Sequence, residues 1–170
     1  DLARGRSRNM VAFADGLDWQ SQARSFAGLA VAGIGAAETT MIAGETPELV
    51  TWQYISPNLF TVVGVKPLLG RDVNTPDLYR ASRGILLSYD FWQRRFGGDP
   101  GILARAITLN GRPVVVAGVM PKGFQAFSGG GARGTEVWQS LDPENPDQTA
   151  RAIPWLVAVG RLSRGVTVAQ

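Results

Sequence analysis

The chain has 170 residues, a length that fits one domain or two small subdomains sharing a core. Apolar residues make up 45% of the sequence and charged residues 18%, with 21 Gly and 10 Pro, which is typical of a globular protein with many turns and excludes a disordered chain. The 17 basic residues give a net charge of only +3 and, apart from Arg4, Arg6 and Arg8, they are scattered, so the charge pattern disfavours nucleic-acid binding.

The sequence contains no Cys and no His. The first absence excludes disulfides, thiolate nucleophiles and zinc–thiolate sites, and the second excludes Ser-His-Asp and Cys-His catalysis. The most apolar stretch, residues 27–37, is much shorter than the roughly 20 residues that span a membrane, and no signal peptide is visible. We therefore expect the chain as given to be soluble and to have no catalytic role.

Hydrophobic spacing predicts a helix over residues 10–26, with Met10, Phe13 and Leu17 on one face and Gly28 at its end. Residues 29–41 fit either strand or loop. Residues 48–55 alternate apolar and polar side chains, which predicts a half-buried strand. A short helix follows, capped by Ser56 and stopped by Gly64.

Residues 84–87 predict a short buried strand that leads directly into a second helix. Ser88 is the expected N-cap, and Arg94 in the last turn is expected to pair with Asp90 in the first. Helical spacing predicts that Phe91, Trp92 and Phe96 form the packing face of this helix, which Gly97 and Gly98 end.

The strongest turn signal is Asn110-Gly111, which predicts a tight hairpin over residues 106–119, with Pro113 at a strand start. A glycine-rich loop at 124–135, a strand at 136–141, a polar loop at 142–152 and a strand at 155–162 follow. Thr167 is the expected cap of a further helix, which suggests that more protein lies beyond Gln170.

Two glycine-rich segments could be read as nucleotide-binding loops, and neither meets the chemical requirements. Residues 128–134 lack the terminal Gly-Lys-Ser/Thr of a phosphate loop, so a surface loop of unassigned role is favoured. Residues 33–38 hold only part of a dinucleotide fingerprint, without a strand–turn–helix frame.

Two groups of acidic residues are candidates for a cation site and for an acid–base pair. Asp142, Glu144 and Asp147 could face a hard cation, but prolines interrupt them and no bidentate Glu follows at the required spacing. Asp15 and Asp18 could form an acid–base pair, yet near a helix start they more simply favour the helix dipole. The sequence thus assigns no catalytic, cofactor-binding or metal-binding residue, and no cofactor.

Three segments taken in order resemble a known family. They are ISPNLFTVVGVKPLLGR at 55–71, LSYDFWQRRFGGDP at 87–100, and ITLNG at 107–111 continuing to VAGVMP at 116–121. LDW at 17–19, SF at 25–26 and VGRLSRGVT at 159–167 extend the match. Together they resemble the MacB-like periplasmic core domain of ABC transporter permeases of the FtsX/MacB type, and they are most similar to the duplicated permeases typical of Acidobacteria.

The resemblance implies an α+β fold with porter-like β-α-β pieces at 1–66 and 136–170 and an inserted sabre-like subdomain at 67–135. It implies a location on the periplasmic side of the bacterial inner membrane. It also implies that the domain couples ATP-driven conformational change to substrate efflux or to partner proteins. The implied partners are the membrane-embedded remainder of the permease and a cytoplasmic ATPase subunit acting indirectly, with a periplasmic adaptor and a homodimer of the full-length protein as further candidates.

Two other classes of function stay open from the sequence. One is a free-standing periplasmic protein that binds a small molecule or peptide in a pocket lined by some of its five Trp and seven Phe. The other is an enzyme that works through carboxylates alone. For the permease domain, we expect partner contacts on the loops at 129–134 and 143–154, because binding residues favour loops on rigid scaffolds.

Overall fold

The computed structural model describes residues 10–34, 37–73, 83–125, 134–142, 145 and 154–167. It confirms the α+β class, with few helices and one large sheet. The helices are α1 (Phe13–Gln22), α2 (Leu59–Val63), α3 (Tyr89–Phe96) and a 3-10 helix (Pro100–Ala104). The strands are β1 (Phe26–Gly33), β2 (Ala37–Ile42), β3 (Pro47–Ile55), β4 (Leu69–Gly70), β5 (Arg83–Leu87), β6 (Ala106–Leu109), β7 (Arg112–Val119), β8 (Val137–Ser140) and β9 (Leu156–Leu162).

The sheet closes on itself. Its strand order is β2-β6-β7-β5-β8-β3-β1-β9, and β2 also pairs with β3, so the first six of these strands form a ring. The pairs β3–β8 and β5–β7 are parallel, and the others are antiparallel. Strands β1 and β9 extend the sheet outward from β3, and β4 adds to β7.

The two faces of the sheet bury different helices, and β5 illustrates the alternation. Ile85 and Leu87 point to a core that contains the aromatic side chains of α3, whereas Leu86 points to a second core built around α2. A third, smaller cluster joins Phe13 of α1 to Val31 of β1. Successive side chains of a strand point to opposite faces, so a strand buried on both sides is continuously apolar, as residues 85–87 are.

Two local units form as the sequence predicts. Asn110 and Gly111 adopt positive φ angles of 50° and 71°, as a tight turn between β6 and β7 requires. Ser88 Oγ accepts a hydrogen bond from the Phe91 N–H at 3.2 Å, and Gly97 ends α3 in the left-handed conformation. The predicted strands at 48–55, 84–87, 136–141 and 155–162 are confirmed as β3, β5, β8 and β9.

The predicted helix over residues 10–26 is wrong at both ends. Helix α1 ends at Gln22, and Gly28 lies inside β1, which begins at Phe26. The reason is tertiary: β1 pairs with β9 along its whole length, so the backbone of residues 26–33 is held extended. The expected apolar face is also wrong, since Met10 and Leu17 are 55% and 46% exposed, while Phe13 is buried.

Ser56 does not cap the following helix, which begins at Leu59 with Asn58 at its N-cap position. The Ser56 hydroxyl instead accepts a hydrogen bond from the Val31 N–H at 2.9 Å and donates to Asn58 Oδ1 at 2.8 Å. The Ser56 hydroxyl, which the local sequence assigns to the N-terminus of the helix, therefore bonds to the backbone of β1 instead. Gly64 stops α2 in the left-handed conformation, as predicted.

Other predictions reach beyond the described residues. The helix expected after Thr167 lies there, as do most residues of the loops at 128–134 and 143–154. The division into porter-like and sabre-like subdomains stays a prediction; strands β5 and β6 of the predicted insert pair directly with β8 and β2, respectively, of the flanking segments. Within the described ranges, no helix is long and apolar enough to cross a membrane.

Gly118 provides a test of the packing between β7 and the segment around β4. A Cβ at this position would lie 2.6 Å from the Leu69 carbonyl oxygen and 2.8 Å from that of Arg71. Both oxygens belong to backbone held against β7, so we expect Gly118→Ala to lower the free energy of unfolding by about 1–3 kcal/mol through overpacking. The matched control is Gly111→Ala, where the added Cβ meets open space and the expected loss is about 1–2 kcal/mol from the positive φ alone. Urea unfolding measures both variants, and a loss at Gly118 well below about 1 kcal/mol would contradict the packing described.

Candidate functional site

The main cluster of charged side chains in the described chain lies where β3 and β8 separate. These two strands pair over residues 52–55 of β3 and 137–140 of β8, and they diverge before those residues. Helix α3 follows β5 and presents Arg94 and Arg95 at this point. We call the gap between residues 47–51 of β3 and the segment leading into β8 the β3–β8 seam.

Arg94 bridges the two sides of the β3–β8 seam. Its Nη1 donates to Glu48 Oε1 at 2.6 Å and its Nη2 to Glu136 Oε1 at 2.8 Å. The guanidinium carbon also lies 5.1 Å from the centre of the Phe91 ring. The hydrogen bond to Glu48 is the largest cause that raises the pKa of Arg94, with a further contribution from Glu136, while partial burial opposes the shift. The predicted Asp90–Arg94 pair is therefore wrong, because two carboxylates from other elements bind the guanidinium.

Glu136 is the most buried acid of this cluster and uses both its backbone and its side chain. Its N–H donates to the Thr51 carbonyl oxygen at 2.9 Å, and its own carbonyl oxygen accepts from the Ser88 N–H at 2.8 Å. Its Oε2 accepts from the Thr51 N–H at 2.9 Å and from the Thr51 hydroxyl at 3.2 Å. Glu136 thus ties β3, α3 and β8 together, which satisfies a carboxylate that burial would otherwise penalise.

Arg95 completes the cluster from the same helix. Its Nε lies 3.1 Å from Glu48 Oε2, and its Nη2 donates to the Ala43 carbonyl oxygen at 3.1 Å. The two arginines therefore hold the last turn of α3 against the β2–β3 hairpin. Cations in the last turn also suit the helix dipole.

An open cleft of about 690 Å³ lies over the β3–β8 seam. Glu48, Arg94 and Glu136 line it, together with Leu49, Ser88, Asp90 and Gln125. Leu49 is 58% exposed, so an apolar side chain stands at the mouth of a polar cleft. Opposite it, Gln125 Oε1 accepts from the Thr135 N–H at 3.1 Å.

The charged groups of the cluster satisfy one another. Arg94 and Arg95 together neutralise Glu48 and Glu136 through short hydrogen bonds and ion pairs. Within the described part of the chain, no group of three or more Asp or Glu is placed to hold a metal ion. Large aromatic side chains such as Phe60 and Trp138 are buried in the cores, and Phe91 of the α3 core also lines this cleft.

The structure describes only some of the acids and glycines that the sequence offers as candidate sites. Asp15 lies on α1, in its first turn as expected, and Asp142 follows β8, whereas Glu144 and Asp147 fall outside the described residues. Gly33 ends β1, its carbonyl oxygen accepts from Gln53 Nε2 at 2.7 Å, and the chain continues into β2 with no helix, so the dinucleotide frame is absent there.

Sequence reasoning missed the cluster at the β3–β8 seam altogether. Glu48 and Glu136 lie far from Arg94 along the chain, and only the pairing of β3 with β8 brings them to α3. In the sequence, Glu136 shows only as a polar residue directly before an apolar strand, and its burial, which demands a partner, is known from the structure alone.

Solved structures similar to this chain include domains of a permease and of two transporters. A domain described as a permease protein from Porphyromonas gingivalis aligns with a TM-score of 0.68 and 16% identity over 93% of this chain and 71% of its own. The periplasmic region of MacB from Actinobacillus actinomycetemcomitans gives 0.64 and 16%, over 98% and 72%. The extracellular domain of the noncanonic ABC-type transporter YknZ from Gram-positive bacteria gives 0.62 and 17%, over 88% and 73%. At these identities the likeness concerns the fold.

No curated protein matches the chain. Residues 4–169, however, match the family of MacB-like periplasmic core domains, so the chain belongs to that family. The resemblance stated from the sequence motifs is confirmed.

A substitution at Glu136 tests whether the charged cluster stabilises the fold. We expect Glu136→Gln to lower the free energy of unfolding by about 1–3 kcal/mol, because the neutral amide loses a charge-assisted bond to Arg94 and places an NH2 group among donors. The control is Arg105→Ala, which removes an ion pair to Asp99 whose two side chains are about half exposed and is expected to cost less than about 1 kcal/mol. Chemical denaturation measures both, and equal losses in the two variants would contradict a structural role for Glu136.

Proposed function

We propose that this domain is a non-catalytic coupling module of an ABC-type permease, which passes an ATP-driven conformational change from the membrane part to an extracytoplasmic substrate or partner. The observation that carries the proposal is the family match over residues 4–169. The absence of Cys and His from the sequence is consistent with a role without catalysis.

The fold gives a mechanical reason for this role. Strands β9 and β1 pair over seven positions at one edge, and an isolated bridge between Val11 and Leu156 adds the segment before α1 to the same edge. The pairing of β1 with β3 then connects this edge to the closed ring. A displacement applied at the β1–β9 edge would therefore move the ring as one body, since packed interiors are stiff.

The partners follow from this proposal. The membrane-embedded part of the same permease would apply the displacement, and a cytoplasmic ATPase subunit would drive it without touching the domain. A periplasmic adaptor and a second copy of the permease are further candidates. The transported substrate is left unassigned.

The proposal is tested by measuring movement of the domain relative to the bilayer. The full-length permease is reconstituted with its ATPase in nanodiscs that contain acceptor-labelled lipids, with a donor dye on Gln20→Cys or Arg112→Cys. Both positions are exposed, and the domain has no native cysteine to compete for the dye. We expect energy transfer to change between the ATP-bound and nucleotide-free states at one or both positions.

A donor–acceptor pair at residues 20 and 112 of the same domain serves as the control, and its transfer should stay constant if the domain moves as one body. An ATPase variant unable to hydrolyse ATP should stop the cycling of the lipid signal. Unchanged transfer to the lipid during measured ATP turnover would exclude the coupling role.

A further inference from the structure

Among the described residues, the edge of β3 that faces the β3–β8 seam has backbone groups without a strand partner. In the antiparallel β2–β3 pair, residues point their backbone polar groups alternately toward β2 and away from it. The Thr51 N–H and carbonyl oxygen both bond Glu136, so they point away from β2. Leu49 lies two residues earlier and has the same orientation, and its register partner Thr40 correspondingly directs its carbonyl oxygen away from β3, to the Asn110 N–H at 2.9 Å.

The Leu49 N–H and carbonyl oxygen therefore face the cleft. Within the described ranges, β8 begins its pairing with β3 only at Trp52, and neither polar group of Leu49 has a partner from another strand. Glu136 already supplies at Thr51 what a neighbouring strand would supply, one backbone donor and, through its carboxylate, one acceptor. Among the described residues, the part of the β3 edge without a strand partner therefore begins at Leu49, next to the Thr51–Glu136 contact.

The Arg94 bridge does not occupy the position of a further strand. Glu48 and Val50 share the face of β3 that packs toward α3, so the bridge lies on that face. The Leu49 N–H lies in the plane of the sheet instead, at right angles to the side chains. A cleft of about 690 Å³ has room for several residues of extended chain beside it.

The charges of the cleft indicate which peptide would fit. Its lining carries three carboxylates, from Glu48, Asp90 and Glu136, and one guanidinium, from Arg94. Both glutamates are bound to arginine, whereas Asp90 has no ion pair among the described residues. A lysine or arginine side chain would complement this cleft, and an acidic side chain would be repelled.

We propose that the β3–β8 seam binds an extended, basic peptide segment of a partner protein, which adds as a strand to the edge of β3 at Leu49 and directs a cationic side chain to Asp90. Main-chain hydrogen bonds would supply affinity, and the carboxylates would supply selectivity. This inference rests on the geometry of the chain alone and stands or falls independently of coupling to ATP hydrolysis.

The first test uses amide hydrogen exchange of the 170-residue chain, resolved by NMR. In the free chain we expect the Leu49 amide to exchange rapidly, while those of Glu48 and Val50, which face β2, are protected. Adding acetyl-Lys-Val-Thr-Val-Lys-Val-amide should slow exchange at Leu49 by about tenfold or more, and the same peptide with Glu in place of Lys should have no effect at equal concentration. A Leu49 amide that is already protected in the free chain, or one that stays unprotected at 2 mM lysine peptide, would overturn the proposal.

Two variants separate backbone pairing from side-chain contact. Leu49→Pro removes the N–H without disturbing the pairing with β2 and should weaken the peptide by about tenfold, whereas Leu49→Ala keeps the N–H and should weaken it by less than about threefold. Asp90→Asn should weaken binding of the lysine peptide, because it removes the carboxylate that faces the cationic side chain. Equal effects of Pro and Ala would argue against strand addition.

A modified peptide keeps the test valid if the proline variant does not fold. The lysine peptide is N-methylated either at its second and fourth residues or at its third and fifth, which removes the donors from one edge or from the other. Strand addition predicts that only one of these isomers loses binding, because only one edge faces β3. Retention of binding by both isomers would refute the proposed pairing.

Discussion

The hydrogen bonding of β2 to two neighbours is the constraint on which the rest of the molecule depends. Because β2 pairs with both β3 and β6, the six strands cannot open into a flat sheet, and the inner face must be filled from within the ring. Aliphatic side chains of the strands, such as Val50, Ile85 and Val116, form this core together with the aromatic side chains of α3. Closure of the ring also sets the residue at which the pairing of β3 with β8 ends. The cluster of Glu48, Arg94 and Glu136 lies at that position.

The cluster illustrates how the protein handles buried charge. An ion pair in a low-dielectric environment gains little net stability unless every polar atom is satisfied. Glu136 meets this condition by accepting from the Thr51 backbone and hydroxyl and from Arg94. Arg94 in turn bonds Glu48 and Glu136, which are distant from it in sequence, so the cluster specifies how α3 meets β3 and β8 more than it adds to stability.

The parts of the fold that the sequence predicts are those with local causes. Asn110-Gly111 needs only its own backbone angles to turn the chain, and Ser88 needs only the next turn of helix to act as a cap. The end of α1 and the role of Ser56 were wrong because their partners, β9 and Val31, are remote in sequence. The family itself was recognisable because its motifs cover these local units.

The candidate site could not be predicted at all, for the same physical reason. The two sides of the β3–β8 seam come from segments that are distant in sequence. The cleft lies where the pairing of β3 with β8 ends. The sequence shows Leu49 as an ordinary residue of a half-buried strand, and its backbone orientation follows only from the β2–β3 register and the Thr51–Glu136 contact. The strand edge would be found from the sequence only after the pairing of β3 with β8 was known.

The pairing of β1 with β9 has a consequence for how the chain acquires its structure. One strand is near the start of the chain and the other near its end, so the edge of β1 must wait until nearly all residues are available. The hairpins β2–β3 and β6–β7 can form from neighbouring residues in the meantime, because loop closure is quicker for short separations. Folding of this domain is therefore expected to finish at the β1–β9 edge, and a chain interrupted before residue 156 would leave β1 exposed to aggregation.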